Sequence, residues 1–263
     1  MKKRILLTLM VCLCSVAWAY DNTYAVVVGV ADYKYFSAWD GDLRYTTSDA
    51  QRFANFLKSK KGGSVPAANI ILLTDAMASK ANILAQTRQL YSKAKKNDRV
   101  IFFFSGHGGR GCFLPYDAGK RGENMLYFSE VKSLFRYAKC NTKLLFADAC
   151  FSGSMKGLNT KAIQSTLSKE QKAASDMNIA VMMSCRKNET SMELGSLRQG
   201  LFTYYLIEGL GGEANSDGSQ YVTITELFNY VYLKTRQKAS SMGHQQNPEL
   251  FGKFDLRLIV AKT

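Results

Sequence analysis

Five apolar runs rich in β-branched and aromatic residues, alternating with segments of helical period, constrain this chain more than any other feature. They are Tyr24 to Val30, Asn69 to Thr74, Arg99 to Ser105, Lys143 to Asp148 and Ile179 to Ser184. Strands buried on both faces read as continuous apolar runs, and such strands alternating with helices make a mainly parallel sheet with helices on both faces, the α/β class. The helical patterns are Ser48 to Lys58, Lys80 to Lys95, Ser129 to Tyr137, Leu201 to Gly209 and Ile224 to Arg236, and Phe254 to Val260 reads as a closing strand. A chain of 263 residues with 46% hydrophobic content suits one such domain.

The chain opens with Met1-Lys2-Lys3-Arg4, an apolar run from Ile5 to Trp18, and Ala17-Trp18-Ala19. A basic start, a short apolar stretch and a small-x-small site predict a signal peptide over residues 1–19, a domain over 20–263, and export to the periplasm or the medium. No later segment is long and apolar enough to be a membrane span. The formal charge is +14 and stays strongly basic without the leader. Lys and Arg are scattered rather than gathered into a stripe with interleaved aromatics, so a solvated surface is expected, with no nucleic acid partner.

Cys112, Cys140, Cys150 and Cys185 follow the leader. Four cysteines in so long a chain are no disulfide framework; at most one bridge is expected, with Cys112–Cys140 as the guess. Between Met155 and Met177 lies a polar, Lys-rich segment without period, read as an exposed loop. Asn215-Ser216-Asp217-Gly218 lacks the alternating acids of a calcium loop and reads as a turn; calcium activation has no acidic cluster to support it.

In open parallel sheets, reactive groups gather beyond the carboxyl ends of the strands. His107 ends one apolar run, in Ser105-Gly106-His107-Gly108-Gly109, whereas His244 lies in a polar loop. Cys150 ends another, in Asp148-Ala149-Cys150-Phe151-Ser152-Gly153. Cys185 is the rival, but Arg186 and Lys187 follow it, not glycines. A thiol beside an imidazole is an activated nucleophile, and glycines let backbone N–H groups approach a developing oxyanion. Two other readings remain open on these residues alone: a buried cysteine and a loop histidine that do not cooperate, and a zinc site from His107, Cys112 and Cys150, for which paired ligand spacing is lacking.

The Ser-Gly-His-Gly and Asp-Ala-Cys-Phe-Ser-Gly segments, in this order and separation, resemble the His and Cys motifs of the caspase and metacaspase family. The likeness extends through Val26-Val27-Val28-Gly29-Val30, Ser48-Asp49-Ala50, Gly200-Leu201-Phe202-Thr203-Tyr204 and Thr223-Ile224-Thr225-Glu226-Leu227. It implies a caspase-like three-layer sandwich, Cys150 as nucleophile, His107 as base, and an oxyanion hole from the N–H groups of Gly108 and Cys150. It also implies a large segment over about residues 20–154, a processing loop over 155–177 and a small segment over about 178–263.

Asp148 stands where the caspase signature has Gln. Alternation along a strand points Asp148 the same way as Cys150, and Ser105 the same way as His107. The resemblance to metacaspases then assigns Asp148, Asp49 and Ser105 to binding a basic P1 residue, Arg or Lys, in protein or peptide substrates. Arg44 and Arg186-Lys187 are the features that would neutralise such a pocket. The expectation is a monomeric cysteine endopeptidase without a cofactor, with self-processing in the loop. The alternatives are an idle scaffold of the same fold and a transpeptidase using the same dyad.

Overall fold

The apolar runs become strands because their side chains find cover on both faces. The structure, a computed structural model, describes residues 20–36, 43–109, 111–150, 178–186 and 188–263, with the backbone alone at Cys150. The predicted leader and the 155–177 loop lie outside the described residues.

The strands are β1 (Thr23–Gly29), β2 (Ile70–Thr74), β3 (Arg99–Gly109), β4 (Cys112–Phe113), β5 (Leu126–Tyr127), β6 (Thr142–Cys150), β7 (Ala180–Met183), β8 (Glu193–Leu194), β9 (Gln199–Gly200), β10 (Tyr221–Thr223), β11 (Glu249–Gly252) and β12 (Ile259–Lys262). The helices are α1 (Thr46–Lys58), α2 (Lys80–Tyr91), α3 (Phe128–Leu134), α4 (Leu201–Glu208) and α5 (Ile224–Ser241).

The main sheet runs β11-β7-β6-β3-β1-β2. All its pairs are parallel except β11 on β7, and β4 and β5 extend the tip of β3 as a small antiparallel flap. Alternation divides the core. Phe102, Phe104, Leu145 and Ala147 face α2 and α3, where they pack with Ile83, Leu90, Val131 and Phe135. Ile101, Phe103, Leu144 and Phe146 face α1, α4 and α5, against Phe53, Phe202, Leu206 and Leu227. Phe53 stacks on Phe103 with centroids 4.5 Å apart, a contact worth about 1 kcal/mol beyond its area.

α1 forms because Ala50, Phe53, Ala54 and Leu57 recur at helical spacing, with Asp49 in its first turn and Lys58 in its last. α2 starts where the Ser79 hydroxyl accepts from the Asn82 amide at 3.3 Å. It ends at Tyr91 rather than Lys95, because the Asp98 carboxylate accepts from the Lys95 amide at 2.7 Å and turns the chain into β3. α5 begins with a capping box, in which Thr223 and Glu226 bond each other's backbone N–H.

Two expectations are corrected. Cys112 and Cys140 are not bridged: the Cys140 thiol donates to the Thr142 carbonyl. Cys112 pairs with Gly109 at one end of β3, whereas Cys140 precedes the partner of Arg99 at the other. Eleven residues of strand lie between, roughly 30 Å at 3.3 Å per residue, far beyond disulfide reach. The run Phe254 to Val260 does not close the main sheet. Only its end is a strand, β12, which pairs antiparallel with β10 in a separate two-stranded sheet. The residues before it turn instead, with the Asp255 carboxylate accepting from the Arg257 amide.

Candidate functional site

The chain leaves β1 for β2 on one side and returns to β3 on the other, so a crevice opens at the carboxyl ends of these strands. β3 and β6 run in register there. Ser105 is the partner of Asp148 and His107 is the partner of Cys150. Odd positions of β3 and even positions of β6 face α1 and α4, and Ser105, His107 and Asp148 continue that face into a pocket of about 70 Å³. Leu43, Thr46, Asp49, Ser191, Glu193 and Gly200 complete most of its wall.

Asp49 enters from the first turn of α1 and is 1% exposed. Its Oδ2 accepts from the Ser105 hydroxyl at 2.9 Å and its Oδ1 from the Gly200 amide at 2.9 Å. Asp148, 5% exposed, accepts from three donors. The Thr203 hydroxyl lies at 2.8 Å, the Thr203 amide at 3.1 Å, and the Ser191 hydroxyl donates to its other oxygen. Gly200 runs between the two acids. A Cβ there would stand 2.4 Å from Asp148 Oδ2 and 2.8 Å from Asp49 Oδ2, so the absence of a side chain is what lets the backbone thread them.

Two carboxylates in so dry a place resist ionisation. Burial pushes the Asp49 carboxyl well above the ordinary carboxylate range and the charge of Asp148 adds to this, while the Gly200 amide and the Ser105 hydroxyl oppose it. Burial also raises Asp148, against the bonds from Ser191 and Thr203. Glu193 raises both. Glu193 is also structural: its carboxylate accepts from the Tyr45 amide at 2.8 Å and the Arg44 amide at 3.1 Å, tying β8 to the start of α1. Of the residues expected to neutralise the pocket, Arg44 and Arg186 do not line it. The side chains of Arg44 and Arg186 are exposed, and Lys187 lies outside the described residues.

His107 is half-buried. Its backbone N–H donates to the Tyr33 hydroxyl at 2.7 Å, and the two rings sit 5.2 Å apart. Tyr33 comes from the turn after β1, which the Asp75 carboxylate holds by accepting from the Ala31 and Asp32 amides. Gly108 pairs with Phe113 of the β4 flap, and the His107 carbonyl accepts from Leu114. Cys185 is buried behind the tip of β6, with its thiol against the Ala149 and Glu189 carbonyls. His244 does not line the pocket; its Nε2 lies 2.8 Å from the Thr190 carbonyl, one residue before Ser191 of the wall.

The crevice therefore brings together four of the predicted residues, His107, Asp148, Asp49 and Ser105, and sets the backbone of Cys150 beside His107. Tyr33, Ser191, Glu193 and Gly200 are additions. Gly200 stands in a segment that the sequence singles out, and the other three carry no local motif. Among the described residues, no group of three His, Cys, Asp or Glu side chains is placed to hold a metal ion, and no helix is long and apolar enough to cross a membrane.

A family model described as Caspase domain matches residues 22–257. Metacaspase-1A of Aspergillus oryzae is 32% identical over 109 residues, covering 39% of this chain and 25% of that protein. A probable protease of a Desulfuromonadales bacterium is 24% identical over 263 residues, covering 87% of this chain and 31% of its own length. The chain thus spans a quarter to a third of these curated relatives. A protein of Geobacter sulfurreducens with a known crystal structure superposes with a TM-score of 0.62 at 17% identity, over 92% of this chain and 98% of that one. That likeness is one of fold.

Proposed function

Because this chain belongs to the caspase domain family, we propose that it is a cysteine endopeptidase in which Cys150 is the nucleophile, His107 the base, and the pocket of Asp49, Asp148 and Ser105 the seat of an arginine or lysine at P1. The observation that carries the reading is the register of β3 and β6, in which His107 is the backbone partner of Cys150 and Ser105 that of Asp148 at the tips of adjacent strands.

The imidazole of His107 takes the thiol proton, and the sulfur attacks the scissile carbonyl. The oxyanion forms against the N–H groups of Gly108 and Cys150. The imidazolium returns its proton to the departing amine, leaving a thioester. Water, activated by the same imidazole, hydrolyses it. A P1 cation enters a recess lined by buried acids, where a charge-assisted hydrogen bond is roughly twice as strong as a neutral one.

The basic start and short apolar run over residues 1–19 support the reading of a signal peptide and export, and the lysines in the 155–177 segment, among them Lys156, Lys161, Lys169 and Lys172, support self-processing by such an enzyme.

The test compares peptides with Arg, Lys or Asp at P1, with wild type and Cys150→Ala. Cleavage after Arg and Lys by wild type alone is expected. Preference for Asp overturns the pocket assignment, and cleavage by Cys150→Ala overturns the nucleophile.

A further inference from the structure

Gln246 lies outside the pocket, in the loop that leads into β11, and is 1% exposed. Its side chain is fully engaged. Oε1 accepts from the Met192 amide at 3.0 Å, and Nε2 donates to the Ser184 carbonyl at 3.1 Å and to the Ser191 hydroxyl oxygen at 3.1 Å. The last of these bonds has a direction. An amide nitrogen only donates, so Ser191 Oγ is the acceptor and its single hydrogen is left for another partner. That partner is Asp148, to which the Ser191 hydroxyl donates.

A chain of donors therefore runs Gln246, Ser191, Asp148, each bond fixing the sense of the next. Asp148 has Thr203 as its other source of hydrogen bonds, by backbone and hydroxyl. A carboxylate that receives three donors is favoured over a carboxylic acid, which would have to give up an acceptor site to its own proton. We infer that Gln246 is a positioning residue for P1 selection: by holding the Ser191 hydroxyl toward Asp148, it keeps a negative charge in the pocket for the substrate cation. The inference rests on the basic-P1 reading of the pocket and names a residue that acts on it without lining it.

A merely structural staple and a charge relay differ in what they do to a neutral substrate. The experiment uses the full chain and paired peptides with arginine or its uncharged isostere citrulline at P1, and reads the arginine-to-citrulline ratio of kcat/KM. In Gln246→Met, of similar volume but without donors, the ratio should fall about tenfold, the scale of one hydrogen bond to a charged group. Ser191→Ala should fall by a similar factor and the double variant no further, while Ser191→Thr, which retains the hydroxyl, should keep the ratio near that of wild type. If Gln246→Met does not fold, the isosteric Gln246→Glu replaces it; its carboxylate draws the Ser191 hydrogen away from Asp148, and the ratio should again fall. Equal losses on both peptides, leaving the ratio unchanged in a folded Gln246 variant, overturn the inference. A wild-type ratio near one would instead sink the basic-P1 reading itself.

Discussion

The backbone N–H of His107 is held at 2.7 Å by the hydroxyl of Tyr33, 74 residues earlier in the chain. This bond, with the tilted ring contact, fixes the tip of β3 from the side. Gly106 leaves room for it, since a Cβ there would come within 3.0 Å of the Tyr33 hydroxyl. Tyr33→Phe keeps the ring and removes the acceptor. Stability should fall by about 1–2 kcal/mol in denaturant titration. On the proposed role of His107, kcat should drop roughly ten- to a hundredfold with KM little changed, since a small displacement of a base costs rate more than binding. Equal kcat in the variant would show that the bond does not position the base.

Gly200 divides the two buried acids. Gly200→Ala places a methyl group 2.4 Å from Asp148 Oδ2, in contact with a side chain held by three hydrogen bonds and unable to yield. The cost should be about 1–3 kcal/mol, the scale of overpacking a tight interior. The Asp49 bond to the Gly200 amide should break with it. Thermal unfolding checks the first effect, and loss of discrimination between basic and neutral P1 peptides checks the second.

The acids give stability a pH dependence of defined sign. Asp49 and Asp148 both titrate above the ordinary value of 3.8 in the folded chain. Between 3.8 and the raised values, the folded state holds more protons than the unfolded one. Stability is therefore greatest below that window and declines as pH rises through it. Asp49→Asn removes one of the two groups that cause this decline. Denaturant unfolding followed as pH is raised from the ordinary value of 3.8 should show wild type losing stability and the variant losing less. The same ionisation should lower KM for an arginine substrate as pH rises, and this dependence should weaken in Asp49→Asn.

The parts of the fold that were legible in the sequence are those fixed by local pattern. β1, β3, β6 and β7 are continuous apolar runs because both faces are covered, and parity along β3 places Ser105 with His107, in the pocket that Asp148 of β6 also lines. The flap of β4 and β5 was not legible, since two-residue strands carry no period. β11 was missed because it is short and largely exposed, and β12 was misplaced because Leu256 and Leu258 look like strand residues while serving a turn and a packing contact. The bridge between Cys112 and Cys140 failed because sequence distance does not report which end of a strand a residue occupies. In the site, Asp49 and Asp148 were found through motifs, whereas Tyr33, Ser191, Glu193 and Gln246 act through contacts spanning 43 to 149 residues, which no local pattern encodes.

The proposed peptidase activity depends on one sulfur being activated at the tip of β6. The direct measurement is covalent labelling with a peptide acyloxymethyl ketone carrying arginine at P1, with the modified residue identified by mass spectrometry. Wild type should be labelled at Cys150 and His107→Ala only weakly, with no label on Cys150→Ala. Labelling at Cys185, or undiminished labelling of Cys150→Ala, would contradict the assignment.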